Sequence, residues 1–406
     1  MDALITAAGR ALAAGDPLGA LNRIALRSDA PALALRGIAM AQLGDLDIAK
    51  ALLRRAGRAF SPREHRARAR CVVAEAEIAL VSRDLGWPEK ALERARRMLS
   101  RHGDTVNAAY ARYLSARHLL LIGRLDEAER ELGALDPGLL PLQAQAGYEM
   151  VVAGIAMRRV EAGKARAALE RAAAAAVQVG IPALVSEVDA ARRALAAPAA
   201  RLIAKGREEL LQLDQVEALF ASDTVVVDAC RYVVRSAGET IRLGTRPVLF
   251  ALARTLAEAW PQDVSRENLV ARAFGGKVAD ESHRARLRVE IGRLRALLRP
   301  HAKLRATKDG FVLTIASGRD VALLAQPVED SHADVLALLG DGEAWSSAAL
   351  SLALGVSSRT VQRALERLRE EGKVRSFGRG RACRWVVPTL PGFPTNLLLP
   401  AKITGG

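Results

Sequence analysis

Residues 281–298 read ESHRARLRVEIGRLRALL, and the spacing in this stretch decides the reading of the second half of the chain. Leu287, Ile291, Leu294 and Leu298 recur at intervals of three and four, which predicts an α-helix from about Glu281 to Leu298 with one buried stripe. Arg284, Arg286, Arg288, Arg293 and Arg295 project from the remaining surface. A helix fits the major groove of B-form DNA, and Arg can bond bidentately to guanine or phosphate, so this helix is a candidate reader. Between residues 280 and 308 nine Lys or Arg face three acids, so the positive charge is concentrated there.

Upstream, Thr224–Val227 and Tyr232–Val234 are short β-branched or aromatic runs around a polar hinge at Asp228, followed by a turn at Ser236-Ala237-Gly238-Glu239 and a strand Thr240–Leu243. Val248, Leu249, Leu252, Leu256 and Ala259 place a helix over Pro247–Trp260, which Pro261 ends. Ser265 then offers a cap to a short helix, Glu267–Phe274, that Gly275 and Gly276 terminate. The expected order is strands, two helices, the long basic helix and a hairpin.

This stretch resembles the winged-helix effector domain of OmpR/PhoB-type response regulators. The resemblance is carried by Ile241-Arg-Leu-Gly-Thr-Arg246, Val264-Ser-Arg-Glu-Asn-Leu269, Leu287-Arg-Val-Glu-Ile-Gly-Arg-Leu-Arg295 and Lys308-Asp-Gly-Phe-Val-Leu313, spans about 90 residues and sets a domain at 222–325. It implies that Arg286, Glu290 and Arg293 face the groove, that Arg295 lies near phosphates, and that Arg305 and Lys308 belong to the wing. Glu290 stands where a His is common and Gly292 where a basic residue is frequent, so the family's sequence preference does not carry over. Those regulators usually carry a phosphoacceptor receiver ahead of the DNA-binding domain. A helical array stands here instead, so phosphorylation by a cognate kinase is not expected. Winged domains combined with tetratricopeptide-like helices resemble bacterial antibiotic-cluster regulators, in which the DNA-binding part usually comes first.

A second candidate lies at 328–388. Helices are predicted at Ala333–Leu339, Ser346–Leu354 and Arg359–Glu371, with a tight turn at Gly355-Val-Ser-Ser358 before the third, a helix-turn-helix signature. Ser357 or Ser358 caps the third helix and Val361, Leu365 and Leu368 bury it. Ser358, Arg359, Thr360, Gln362, Arg363 and Arg367 form its candidate reading face, since Gln can read adenine and Arg guanine. Residues 375–386 read as a two-stranded wing whose Arg379, Arg381 and Arg384 would meet phosphates. From 357 to 387 nine Lys or Arg again oppose three acids. The unit resembles winged-helix bacterial repressors. The tail, 389–406, has three prolines and Leu397-Leu398-Leu399 and is neither a good helix nor a central strand; docking of Phe393 and these leucines elsewhere is one expectation for it.

Residues 1–200 repeat loosely. Gly followed five positions later by Ala recurs as Gly15/Ala20, Gly44/Ala49, Gly86/Ala91, Gly123/Ala128 and Gly163/Ala168. Gly permits a sharp interhelical turn and the small Ala lets two helices approach. Gly37, Ala79, Ala116 and Ala156, twelve positions before the later alanines, supply the other half of the contact. Ala34–Phe60, with Gly37, Met40, Gly44, Ala49, Leu53 and Ala56, resembles a tetratricopeptide repeat, a likeness that covers most of residues 5–195 without the consensus Trp and Tyr. Another α-solenoid or an Ala-rich bundle with no groove fits the same pattern. Pro198, among alanines 196–200, breaks it, and a charged connector helix is expected at 201–221.

The expected fold class is therefore mainly α with small β wings: an N-terminal tetratricopeptide-like α-solenoid followed by two winged helix-turn-helix domains. The whole-chain charge of +15 favours a polyanionic partner, and the two basic stretches hold twelve of those charges. Cys71, Cys230 and Cys383 show no CxxC pairing and no His at ligand spacing, so no zinc site, other metal or disulfide framework is expected and a reducing compartment is. No charge-free run of about 18 apolar residues and no basic leader stand in the chain, so neither a membrane-spanning nor an exported protein is expected. The absence of a phosphate-binding glycine loop, a GxSxG elbow and an HxxxH or HxxE grouping argues against an enzyme and against a cofactor. The sequence thus points to a cytoplasmic, nucleoid-associated, DNA-binding transcriptional regulator. Its partners are double-stranded DNA, a protein, peptide or second protomer on residues 1–200, and possible contact with RNA polymerase. The competing reading is an interaction scaffold whose winged helices are pairing modules, with only nonspecific nucleic-acid contact.

Overall fold

The computed structural model describes residues 2–87, 89–274, 281–299, 301–315, 319–327, 332–339, 344–378, 380 and 383–387. Up to residue 196 it is helical: α1 (Ala3–Ala13), α2 (Pro17–Ile24), α3 (Ala30–Gln42), α4 (Leu46–Ala59), α5 (His65–Val81), α6 (Glu89–Arg101), α7 (Thr105–Leu121), α8 (Leu125–Gly133), α9 (Leu142–Arg159), α10 (Ala162–Val179) and α11 (Pro182–Ala196). Asp16, Asp29, Asp45 and Asp104 start α2, α3, α4 and α7, each accepting a first-turn backbone N–H that would otherwise have no partner.

Consecutive helices from α3 to α8 touch, and α1, α3, α5 and α7 also touch in series. The two sets differ in composition as that arrangement requires. In α5 eleven of seventeen residues are buried, whereas α4 and α6 each bury one stripe, Ala49, Leu53 and Ala56 in α4 and Leu92, Ala95 and Leu99 in α6, beneath a charged surface. At Gly37 an added Cβ would lie 2.9 Å from the Leu53 side chain and 3.2 Å from the Ala49 carbonyl, so the small residue sets how closely α3 and α4 approach. Gly15, Gly44 and Gly123 adopt positive φ in their turns, but in the α5–α6 and α9–α10 turns the positive φ falls on Arg83 and Val160, not on Gly86 and Gly163. Ala91 is correspondingly only half-buried while Ala20, Ala49, Ala128 and Ala168 are fully buried.

Beyond residue 199 come β1 (Ala200–Ala204), β2 (Arg207–Leu211), α12 (Leu213–Ala221), β3 (Val225–Asp228), β4 (Val233–Ser236), β5 (Glu239–Arg242), α13 (Pro247–Ala259), β6 (Val264–Ser265), α14 (Arg266–Phe274), α15 (Glu281–Leu298), β7 (Lys303–Ala306), β8 (Gly310–Thr314) and β9 (Val321–Ala325). The last elements are α16 (Ala333–Leu339), α17 (Ser347–Leu354), α18 (Ser358–Glu370), β10 (Arg375–Phe377) and β11 (Arg384–Val386). The chain is mainly helical with small sheets, and no described helix is long and apolar enough to cross a membrane.

The connector helix expected at 201–221 is replaced by a hairpin, β1–β2, and the short α12. Lys205 and Gly206 both take positive φ, 50° and 72°, the geometry of a two-residue hairpin turn matched to strand twist. A second such turn, at Ala237 and Gly238, joins β4 to β5. β9, which local sequence did not mark as a strand, is buried at all five positions and lies between antiparallel β1 and parallel β3 in the sheet β2-β1-β9-β3-β4-β5. Buried Asp228 ends β3, accepting from the backbone N–H of Cys230 (2.9 Å) and Arg231 (3.1 Å) and facing the Arg231 guanidinium at 3.2 Å.

The chain forms two compact units. One holds Met1–Arg158, Lys164–Arg193 and the stretch from His332 onward; the other holds Arg159–Gly163 and Ala194–Ser331. In the first, a continuous apolar core runs through α5–α9 and takes in Val335, Leu339, Trp345, Leu365 and Trp385 of the C-terminal elements. In the second, Val225, Val227, Leu323 and Ala325 pack with Leu249, Leu252 and Leu256 of α13 and with the α15 stripe.

Candidate nucleic-acid interface

α15 occupies the bounds expected from its sequence. Leu287, Ile291, Leu294 and Leu298 are each no more than 2% exposed, while Arg284, Arg286, Arg288, Arg293 and Arg295 are exposed. Several of these arginines are already positioned. The Arg286 guanidinium lies 4.7 Å from the centre of the Phe274 ring, a cation–π contact that joins α15 to the end of α14. Arg293 donates to Glu290 at 2.8 Å, an i,i+3 pair in which the arginine is exposed while the Glu290 side chain, expected to face the groove, is only 13% exposed. Arg295 Nε donates to the Leu304 carbonyl of β7 at 2.9 Å, so this side chain braces the hairpin.

The hairpin that follows α15 carries Arg305 and Lys308, both exposed, on β7 and on the loop to β8. Arg266, at the start of α14, was not singled out by sequence. Its guanidinium donates to the carbonyls of Lys308 (2.9 Å) and Thr307 (3.2 Å) and lies 5.4 Å from the Phe311 ring centre. Thr307 Oγ1 donates to Asp263 at 2.5 Å and accepts from the Gly310 N–H at 2.9 Å. The loop bearing Lys308 is therefore held to the base of α14 at several points. A Cβ at Gly310 would lie 1.7 Å from the Val264 carbonyl, which is why β8 can approach β6 only with glycine there.

The second candidate is built the same way. Val361, Ala364, Leu365 and Leu368 bury one stripe of α18, and Ser358, Arg359, Thr360, Gln362, Arg363 and Arg367 are exposed. Gly355, with φ 66°, ends α17, and Ser346 and Ser357 cap α17 and α18 by accepting from Ala349 N (3.1 Å) and Thr360 N (3.2 Å). Ser357 thus takes the capping role, while Ser358 Oγ donates to Ser351 Oγ at 3.5 Å. Thr360 Oγ1 shares a 2.8 Å hydrogen bond with Ser357 Oγ, so its hydroxyl is partly committed to the cap. Ser357→Ala is expected to destabilise α18 by about 1 kcal/mol, read as faster amide exchange in its first turn. Arg384 is half-buried on β11 and donates to the Cys383 carbonyl at 3.1 Å. Arg379, Arg381 and the tail 389–406 lie outside the described residues.

Among the described residues no group of three or more His, Cys, Asp or Glu is placed to hold a metal. Burial pushes the Cys71 thiol up to about 12, so it stays protonated at neutral pH and is a poor nucleophile. α15 and α18 each expose positive charge and hydrogen-bond donors and are each followed by a hairpin, and α18 is capped by Ser357. Comparison with known proteins gives no match for this chain among family models, curated proteins or solved structures.

Proposed function

We propose that this protein is a sequence-specific DNA-binding transcriptional regulator with two winged-helix readers, α15 and α18, and an N-terminal helical-repeat domain that binds a protein, a peptide or a second protomer. The observation that carries this reading is the shared construction of the two helices. Each is anchored by four buried residues and exposes a row of arginines. Each reader would enter a major groove, Arg286, Arg293 and Arg363 contacting base edges and Arg305 and Lys308 holding phosphates. Glu290 restrains Arg293 and would have to share it with a base.

Selection of bound sequences from random duplex DNA tests the proposal directly, and an unenriched pool would overturn it. Against the selected duplex, Arg293→Ala and Arg363→Ala should each lose roughly 1–3 kcal/mol and relax specificity at one position. One observation favours an interaction scaffold instead. The outward side of α15, between its arginines, is Ala285, Val289 and Ala296, and Val289 is 54% exposed. A protein partner could cover that strip. If so, both arginine variants keep full function, and Val289→Asp abolishes it.

A further inference from the structure

The helical array of the first unit carries a third concentration of positive charge, outside both reader helices. Residues 54–68, which span the end of α4, the turn after it and the start of α5, hold six arginines against the single acid Glu64. Residues 94–101, the second half of α6, hold four arginines and no acid. The fold brings the two stretches to one end of the array. α5 touches both α4 and α6, and the ring of His65, the first residue of α5, stacks on that of His102, just past α6, with ring centres 5.5 Å apart. Arg58 in the last turn of α4, Arg63 and Arg66 around the start of α5, and Arg101 at the end of α6 lie at that same end.

Most of these charges are uncompensated. Arg54 pairs with Glu75 at 3.3 Å, and Arg96 and Arg97 share Glu93. Arg55, Arg63, Arg66, Arg68, Arg94 and Arg101 have no ion-pair partner among the described residues, and none of them is buried. Elsewhere in the array surface arginines come with acids, as Arg27 does with Asp2 and Asp29, Arg124 with Glu127 and Arg171 with Glu149. Helix stability accounts for only part of the cluster. Arg58 and Arg101 lie at helix C-termini, where a cation complements the macrodipole. Arg63, Arg66 and Arg68 lie just before and within the first turn of α5, which holds no acid, and there the dipole opposes a cation. Their charge is therefore held against the local preference of the helix and is left for an anion from outside the chain.

We propose that this end of the helical array binds the phosphate backbone of duplex DNA without regard to base sequence, Arg63, Arg66 and Arg101 each meeting a phosphate. The proposal rests on the reading of the chain as a DNA-binding protein, since the charge by itself suits any polyanion. Arginine supplies every cation of the Lys/Arg kind in both stretches, and its planar fork bonds a phosphate bidentately where lysine offers a point charge. No large apolar side chain is exposed in 54–68 or 94–101, so the patch lacks the anchors with which a basic surface enters a lipid headgroup layer. Such contacts add affinity and hold the chain on the duplex, while base identity is left to the reader helices.

Fluorescence anisotropy of the full chain on a long duplex of scrambled sequence, repeated across a range of salt, tests it by comparing the wild type with the combined Arg63→Gln, Arg66→Gln, Arg101→Gln variant. Each lost phosphate contact removes about 0.9 from the slope of log K against log salt, so the variant's slope should be shallower by about 2–3. Its helical melting profile should be retained, because none of the three side chains is buried. The sequences selected from random DNA should be the same for both chains, since phosphates carry no base identity. Where the combined variant does not fold, Arg63→Gln alone, ahead of α5, should flatten the slope by about 0.9. An unchanged slope in the folded variant overturns the proposal, as does a variant that loses binding only to vesicles of equimolar phosphatidylserine and phosphatidylcholine. An enriched selection with an unchanged slope removes the patch and leaves the readers; an unenriched selection with a flattened slope does the reverse. No duplex binding by the wild type overturns both.

Discussion

Raising monovalent salt from 50 to 200 mM is expected to weaken binding to a selected duplex by roughly 10³- to 10⁵-fold. The exposed cations that would meet phosphate include Arg284, Arg288, Arg305, Lys308, Arg359 and Arg367. Each neutralised phosphate releases condensed counterions, so six to ten such contacts give a slope of log K against log salt of about −5 to −9. Fluorescence anisotropy across that range reads the slope, and a value near zero would remove the phosphate contacts from the proposal. Arg295→Ala should change the slope less than Arg284→Ala, because its Nε is hydrogen-bonded to the Leu304 carbonyl. Its larger effect should be on the order of the β7–β8 hairpin.

Trp345→Ala is expected to destabilise the C-terminal elements by about 3–5 kcal/mol, the range for emptying a large buried aromatic site. Trp345 is 1% exposed, and its backbone N–H and carbonyl pair with those of Trp385 at 2.9 and 2.8 Å. The Arg83 guanidinium lies 5.5 Å from its ring centre, so truncation also uncovers a nearly buried cation. Amides of α18 should exchange roughly 10²- to 10⁴-fold faster in the variant, measured by hydrogen exchange on the full chain. Unchanged protection would show that the apolar core of α5–α9 does not depend on this residue for its continuity with α16–α18. Arg83→Met, which keeps apolar bulk and removes the charge, should cost much less, near the ~0.5–2 kcal/mol of a cation–π contact.

The candidate interface was legible wherever its signal was local. The bounds of α15 and α16 follow from leucine and valine spacing, and the start of α18 from Ser357 after Gly355. What each arginine touches was not legible. Arg286 on Phe274 and Arg266 on the Lys308 and Thr307 carbonyls join residues 12 to 42 positions apart, and no periodicity marks such pairs. The same holds inside the helical array, where Arg70 pairs with Asp104 at 2.6 Å and Tyr110 donates to Glu77 at 2.5 Å, all four buried. Charged residues on helices read as surface until a partner on another helix compensates their desolvation.

By itself, the amino-acid sequence determined the elements whose stabilising groups lie within a turn or two along the chain: the amphipathic helices, the Ser cap of α18, and the turns at Gly15, Gly44, Gly123 and Ala237-Gly238. Only the tertiary structure decided that 200–211 is a hairpin, because β1 is held by β9 more than a hundred residues later, with Leu202 opposite Leu324. It also decided that Arg83 and Val160, not the nearby glycines, take the left-handed turn positions. Strand pairing depends on groups distant in sequence, whose energies enter only after the chain has closed the loops between them.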